Sequence, residues 1–502
     1  MSMSVSTLIY RPKQHFYALI AYEDPYVQPL ILSALQKLFP PEAYTLLPMP
    51  DAAVPGEPVS LTKLLPDNSS PILQVTPYEA IDWDFVAAHP HTCLVNSYML
   101  RKALIRKHYL GATVEHWVAK RPHSSLATHV KRAEAFELDY AEFLDDALVE
   151  AFDLRASLER NAERERGQKA GKEEEEEERE WWILKPSMSD RGQGIRLFST
   201  MEELQGIFDE WEGDLPDSED EEGESGDRDG DADADGDGDA DADADERNRG
   251  GGGDADASER NDITTSHLRH FVAQPYIHPP LLLPGDNRKF HIRTYVACIG
   301  SLDVYVYRHM LALFAGKPYA APASTSTSKS TPKPEYSGAG AGAGAHIDLE
   351  AHLTNTCLQR SVAEGTVRRF WDLPLEPKKM KTDIFNQICE VTGEVFEAAA
   401  RAMLMHFRPL ENAFEIFGLD FLVDGEGTAW LLEVNAFPDF RQTGEELKEL
   451  VQGLWEEVLG RAVGGFFGGE GSMERWVRGE EDDDGGRGEE RFVLVRRVDL
   501  GR

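Results

Sequence analysis

The chain has 502 residues, 41% of them apolar, and a formal net charge of −38. That size and apolar share leave room for two or three packed units with real cores. An acidic excess this large argues against direct nucleic-acid binding, which needs basic partners for phosphates. The charge is uneven: Asp214 to Asp262 holds 22 acidic and 4 basic residues, net −18, leaving −20 elsewhere. Cys93, Cys298, Cys357 and Cys389 show neither zinc spacing nor a secreted disulfide framework. No signal-peptide pattern opens the chain and no apolar run is long enough to span a bilayer. A reducing, cytoplasmic setting is expected, with nuclear entry left open.

In chain order, Phe16-Tyr-Ala-Leu-Ile20 reads as a strand, followed by a helical pattern through Leu30, Leu35 and Leu38. Pro40 to Pro71 is a Pro-rich connection, and His89 to Leu154 is mostly helical. Arg101 to Arg106 is basic on one side, by default a solvated face. Arg155 to Glu180 is highly charged, helical at most at its start. Trp181 to Phe198 reads as strand, small loop, strand. Gly192 and Gly194 let backbone N–H groups approach an anion, and Lys185 adds a positive charge. No Gly-Lys-Ser/Thr opens a helix here, so the Walker pattern is excluded, and taken alone the segment is better explained as an ordinary hairpin.

The acidic tract begins like a calcium loop at Asp231, but its twelfth position is Ala242 and no Glu closes it. Like-charge repulsion and scarce apolar residues predict a disordered insertion. Gln274-Pro-Tyr-Ile277 is a short extended stretch whose backbone could read an adenine edge. In Asp286 to Arg308, alternation places Lys289, His291 and Arg293 on one face and Phe290, Ile292 and Thr294 on the other. A turn centred on Gly300-Ser301 sets Arg293 across from Arg308, which suits an anion between them unless both splay to solvent. Ala320 to Ala345 is a Ser/Thr/Pro then Gly-Ala stretch, and His352-Leu-Thr-Asn355 alone is a turn or N-cap.

Phe414 to Val423 and Ala429 to Val434 form a hairpin, with Gly425 at the first central position of a type II′ turn. If Asp424 opposes Gly427, Asp420 falls opposite Leu431, and alternation brings Glu433 and Asn435 to the same face. Two carboxylates and an amide oxygen are hard donors suited to Mg²⁺, which is commonly held together with nucleotide phosphates. Glu445 to Leu459 is an amphipathic helix, Gly464 to Glu490 is Gly- and acid-rich, and Arg491 to Leu500 is a last strand or a tail.

Taken in order from Asn96 to Pro438, these motifs resemble the tubulin–tyrosine ligase family, a branch of the ATP-grasp ligases, in its fungal type. The most specific are Arg288-Lys-Phe-His-Ile-Arg293, His352-Leu-Thr-Asn355 and Phe414–Pro438. The resemblance implies an α+β ATP-grasp fold. Residues 1–75 would form a small N-terminal α/β domain and 76–465 the ligase-like domain, with 466–502 an acidic, Gly-rich tail. Disordered insertions are expected at about 156–180, 212–262 and 320–345. It further implies that Asp420, Glu433 and Asn435 are magnesium ligands, and that Lys185 contacts phosphate beneath Gly192 and Gly194. Gln274, Pro275 and Ile277 would meet the adenine. Lys289, Arg293, Thr354 and Asn355 would bind the nucleotide, and Lys102 would reach it too. Arg293, Glu433 and Lys289 carry the catalytic expectation. The family usually has an acid where this chain has His291, and an arginine that neutralises the γ-phosphate where it has Leu313.

The implied activity is an ATP- and Mg²⁺-dependent carboxylate–amine ligase. It would join an amino acid such as tyrosine or glutamate to a protein carboxylate through an acyl phosphate. Tubulin is the family's best-known acceptor, but its acidic tails meet an acidic chain here. The alternative is an ATP-binding scaffold of low activity in a cytoplasmic assembly of the RNA-granule (P-body) type, which the resemblance suggests for fungal members. A small-molecule ATP-grasp ligase would need a closed pocket. No membrane partner is expected.

Overall fold

The computed structural model describes residues 10, 12–22, 24–49, 57–169, 179–187, 192–213, 269–322, 348–354, 366–444, 447–468 and 490–501. The N-terminal unit is a parallel sheet of β1 (Phe16–Ile20), β2 (Tyr44–Leu47), β3 (Ile72–Val75) and β4 (Cys93–Val95), in the order β2-β1-β3-β4. β3 and β4 are buried throughout, as strands covered on both faces must be. The helix Gln28–Leu38 covers the sheet with Leu30, Ile31, Ala34, Leu35 and Leu38, one stripe at helical spacing. The expected boundary at residue 75 therefore falls short, because β4 completes this sheet. A three-residue strand is too short to show a period of its own.

The second unit is an antiparallel sheet of β5 (Glu134–Glu137), β6 (Trp182–Pro186), β7 (Arg196–Phe198) and β8 (His270–Pro275), in the order β5-β8-β6-β7. Helices Phe152–Lys169 and Met201–Gly213 close a core of Leu154, Leu158, Leu184, Phe198, Phe208 and Phe271. The first helix corrects the expected insertion at 156–180. Its inner stripe holds two leucines and then buried polar residues that grip the lead into β6. Ser157 donates to the Glu180 carboxylate at 2.6 Å, and Asn161 donates to the Glu180 carbonyl at 2.8 Å. A stripe so short in apolar residues gives little amphipathic signal. Residues 170–178, 214–268 and 323–347, which hold part of the first expected insertion and most of the other two, lie outside the described residues.

The third unit is a seven-stranded sheet built on β9 (Arg288–Ile299). One edge of β9 pairs with β11 (Leu311–Pro318) along its first half and with β10 (Asp303–Tyr307) along its second. Its other edge pairs with β13 (Phe414–Val423), which carries β14 (Ala429–Ala436). β12 (Val367–Arg369) extends β11, and β15 (Phe492–Arg497) extends β10. Of the two readings for Arg491 to Leu500 the strand is the one seen, so the tail expected over 466–502 does not extend through β15: Phe492 is buried against Tyr305 and Tyr307. One sheet face packs on helix Lys379–Ala402, which the sequence reading did not anticipate although Ile384, Ile388, Val391 and Val395 repeat at helical spacing. The other face packs on helix Lys448–Phe467 through Leu454, Val458 and Leu459. No described helix is long and apolar enough to cross a membrane.

Candidate functional site

The β13–β14 hairpin sets the acidic side of a cleft between the second and third units. Its turn differs from the expected type II′. The Gly427 amide donates to the Asp424 carbonyl at 3.0 Å and the Asp424 amide to Thr428 at 3.0 Å. The left-handed residue is Gly427 (φ +89°), so this is a three-residue loop closing on a bulge. A second irregularity between Asp420 and Phe421 leaves Leu432 extra on β14. Asp420 consequently faces Glu433 and not Leu431, and Gly418 faces Asn435. The three side chains still converge. Asn435 Nδ2 donates to Glu433 Oε1 at 3.2 Å and lies 3.5 Å from Asp420 Oδ2.

The basic side comes from β9 and β6. Lys289, His291 and Arg293 share the face that alternation assigned them, all buried. Arg293 does not face Arg308, because the β9–β10 connection has three residues and pairs Ile299 with Asp303. Arg293 lies beyond β10, opposite Leu311, and grips both oxygens of Asp420 at 2.5 and 2.9 Å. Arg308 instead sits 5.0 Å from the ring centre of Phe385, on the other side of the sheet. Burial opposes the Arg293 charge, but Asp420 outweighs it and holds the guanidinium protonated.

Burial also opposes ionisation of Glu433, yet Lys107 and Lys185 hold it down to about 2. Lys107 Nζ stands 4.0 Å from Glu433 Oε2. This lysine was missed by the sequence reading, although it directly follows the basic run. Lys102 opens the short helix Lys102–Ile105, which packs against β14, but makes no described ion pair with Asp420 or Glu433. Arg101 is buried against the Tyr78 ring and beside Glu415, so that run is no solvated face. Burial lowers Lys185 to about 8, and its Nζ donates to Gln274 Oε1 at 2.9 Å. Burial, then the like charge of Lys185, lower Lys289 to about 7.

Between these sides lies an open cavity of about 80 Å³. Ile183, Ile195, Ile277, Leu353, Leu422 and Leu431 give it apolar walls that fit a planar base, and Gln274 and Pro275 run along its edge. Gly192 (φ +80°) and Gly194 (φ +71°) both take the left-handed backbone that glycine alone adopts freely. Residues 188–191, between Lys185 and these glycines, lie outside the described residues, as does Asn355. Thr354 lines the cavity, its Oγ1 2.6 Å from His291 Nδ1. Burial lowers the pKa of His291, against an opposing pull from Asp420, whose Oδ1 lies 3.5 Å from Nε2. Leu313 pairs with His291 across β9–β11 and is buried there, so an aliphatic side chain stands where the resemblance leads one to expect an arginine.

Residues 150–467 match the model of the tubulin–tyrosine ligase family. A probable tubulin–tyrosine ligase of Schizosaccharomyces pombe is 41% identical over 466 residues, 93% of this chain and 95% of the relative. The probable tubulin–tyrosine ligase PBY1 of Saccharomyces cerevisiae is 42% identical over 393 residues, 78% of this chain but 45% of that protein. The crystal structure of the C-terminal domain of K. lactis Pby1, an ATP-grasp enzyme interacting with the mRNA decapping enzyme Dcp2, superposes with a TM-score of 0.59. That match has 30% identity and covers 97% of this chain and 99% of the other. With an oxygen-donor hairpin facing buried lysines across a cleft between two antiparallel sheets, the chain belongs to the tubulin–tyrosine ligase family and has the ATP-grasp fold.

Proposed function

We propose that this protein is an ATP-dependent carboxylate–amine ligase that adds an amino acid to a protein carboxylate. The observation that carries the proposal is the polarity of one cleft. Asp420, Glu433 and Asn435 stand at one side, Lys185 and Lys289 at the other, and apolar walls lie between. The donor set suits Mg²⁺: two carboxylates and an amide oxygen, with Glu433 fully ionised at neutral pH. The metal, when bound, would neutralise charge on the nucleotide's phosphates. The base would rest on Ile183, Ile277, Leu422 and Leu431, with Gln274 and the backbone of Pro275 and Ile277 at its edge. Gly192, Gly194, Thr354 and Asn355 complete the proposed nucleotide contacts, with Lys107 a better-placed candidate than Lys102 for the lysine beside Glu433.

The chemistry is positioning and charge stabilisation rather than nucleophilic catalysis by the protein. A substrate carboxylate oxygen attacks the γ-phosphorus, and the bond to the β-phosphate oxygen breaks to release ADP. An amine then attacks the acyl phosphate, releasing phosphate and losing a proton. Lys185, Lys289 and Arg293 would hold the transferring phosphoryl group, and a phosphate would compete with Asp420 for Arg293. The acceptor proposed is a protein, with tubulin one candidate and tyrosine or glutamate the amine.

Leu313 favours a second reading. An aliphatic residue beside His291 removes a charge that phosphoryl transfer uses, and Arg293 is already committed to Asp420. Together with the Dcp2 interaction of the K. lactis relative, this supports a nucleotide-binding scaffold in a cytoplasmic RNA-granule assembly. Measuring ATP-dependent ADP release and labelling of acceptors in cell extract, for wild type and Glu433→Gln, separates the two. The ligase reading expects labelling that falls at least a hundredfold in the variant. Tight MgATP binding with no labelling by either protein would leave the scaffold.

A further inference from the structure

At the floor of the cleft, Lys289, Tyr276 and His352 form a buried chain of hydrogen bonds that contains no carboxylate. Lys289 Nζ donates to Tyr276 Oη at 2.9 Å and lies 4.2 Å from the centre of its ring. Tyr276 Oη stands 2.9 Å from His352 Nδ1. Lys289, His352 and Tyr276 are all buried. A buried ammonium ordinarily requires a carboxylate partner. Among the described residues no acidic oxygen forms an ion pair with Lys289, and the charged group that acts on it most is Lys185, of like sign. The nearby acids are engaged elsewhere: Asp420 by Arg293, and Glu433 by Lys107 and Asn435.

The direction of the first bond follows from donor chemistry. An ammonium only donates, so the Tyr276 hydroxyl oxygen accepts from Lys289, and the hydrogen between Tyr276 Oη and His352 Nδ1 belongs to one or the other according to the imidazole tautomer. His352 can accept only while neutral, and burial, then Lys289, push it down to about 4. Three groups are thus tied together, with no carboxylate among them.

We propose that Tyr276 and His352 are positioning residues for Lys289: they fix its ammonium through neutral bonds and leave its charge uncompensated for an incoming polyphosphate. The proposal rests on the reading of this cleft as a nucleotide site. Tyr276 lies in the same short segment as Gln274 and Ile277, which line the base end of the cavity, and His352 is two residues from Thr354. The chain therefore links the base-binding edge to the phosphate-binding lysine.

Tyr276→Phe keeps the ring under Lys289 and removes only Oη, and His352→Leu removes the hydrogen-bond partner at the far end. The measurement is calorimetric affinity for MgATP and for adenosine, alongside thermal unfolding of each variant. Tyr276→Phe is expected to weaken MgATP about tenfold and adenosine less than twofold, since a hydrogen bond to a charged group is lost. His352→Leu should follow in the same direction and gives an independent reading if Tyr276→Phe does not fold. Equal weakening of MgATP and adenosine would reveal a merely structural role, and unchanged affinity for both would likewise overturn the proposal. Lys289→Met tests the underlying reading: if it binds MgATP like wild type, the nucleotide site itself is wrong.

Discussion

Gly418 shows how much of the site depends on a side chain that is absent. It pairs with Asn435 on β14 and Tyr295 on β9, between the metal-facing residues and the basic strand. A Cβ there would stand 2.9 Å from Pro438 Cβ and 3.3 Å from Arg293 Cδ. Gly418→Ala is expected to cost about 1–3 kcal/mol by overpacking and to push Arg293 off Asp420. Urea denaturation checks this, and an unchanged midpoint would mean that Pro438 and Arg293 yield freely. At this scale the residue types were legible but their partners were not. Alternation correctly put Lys289, His291 and Arg293 on one face. It could not show that Arg293 meets Asp420, since those residues are 127 apart in sequence. Nor could it distinguish Lys102 from Lys107, because that choice depends on where the helix Lys107–Lys120 begins.

Among the elements, β9 organises the site, and its first turn is pinned by Asp286. Arg288 donates to both Asp286 oxygens at 2.9 and 3.0 Å, and Arg368 of β12 donates at 2.7 Å. The hydrogen bonds from Arg288, against a burial that opposes them, hold Asp286 down to about 2. An unfolded aspartate titrates near ~3.9, so the stabilisation is complete above that pH and disappears as pH falls through the folded value. Asp286→Asn should therefore cost about 2 kcal/mol at pH 7 and almost nothing near pH 2. Stability curves of both proteins against pH test it, and an equal loss at the two ends would assign the cost to shape instead. The hairpin makes the complementary point. Both strands were legible from apolar density, but their register was not. One bulge at the turn and another at Leu432 shift the pairing by steps that no two-residue period records.

For the molecule as a whole, distant segments close the central sheet. Val95 at the end of β4 bonds to Asn412, and the Tyr98 amide donates to Glu415 on β13, which tie the N-terminal unit to the site-bearing sheet. The last strand does the same from the other end, since β15 buries Phe492 and places Arg497 on Asp303. Removing residues 490–502 is expected to cost on the order of 3 kcal/mol, from the lost aromatic burial and an uncovered β10 edge. Thermal unfolding of the truncated chain checks it, and a midpoint within a degree of wild type would show β15 to be dispensable.

The sequence by itself determined the local elements and the chemistry they carry. The hairpin's oxygen donors, the alternating basic strand and the glycine pair are written in neighbouring residues, where periods of two and short turns act. Only the tertiary structure decided which of these groups touch. It set the Arg293–Asp420 grip, the carboxylate-free Lys289–Tyr276–His352 chain and the place of Lys107. Each of these depends on strand register and packing between segments far apart in the chain, and those are fixed by the shared burial of whole elements.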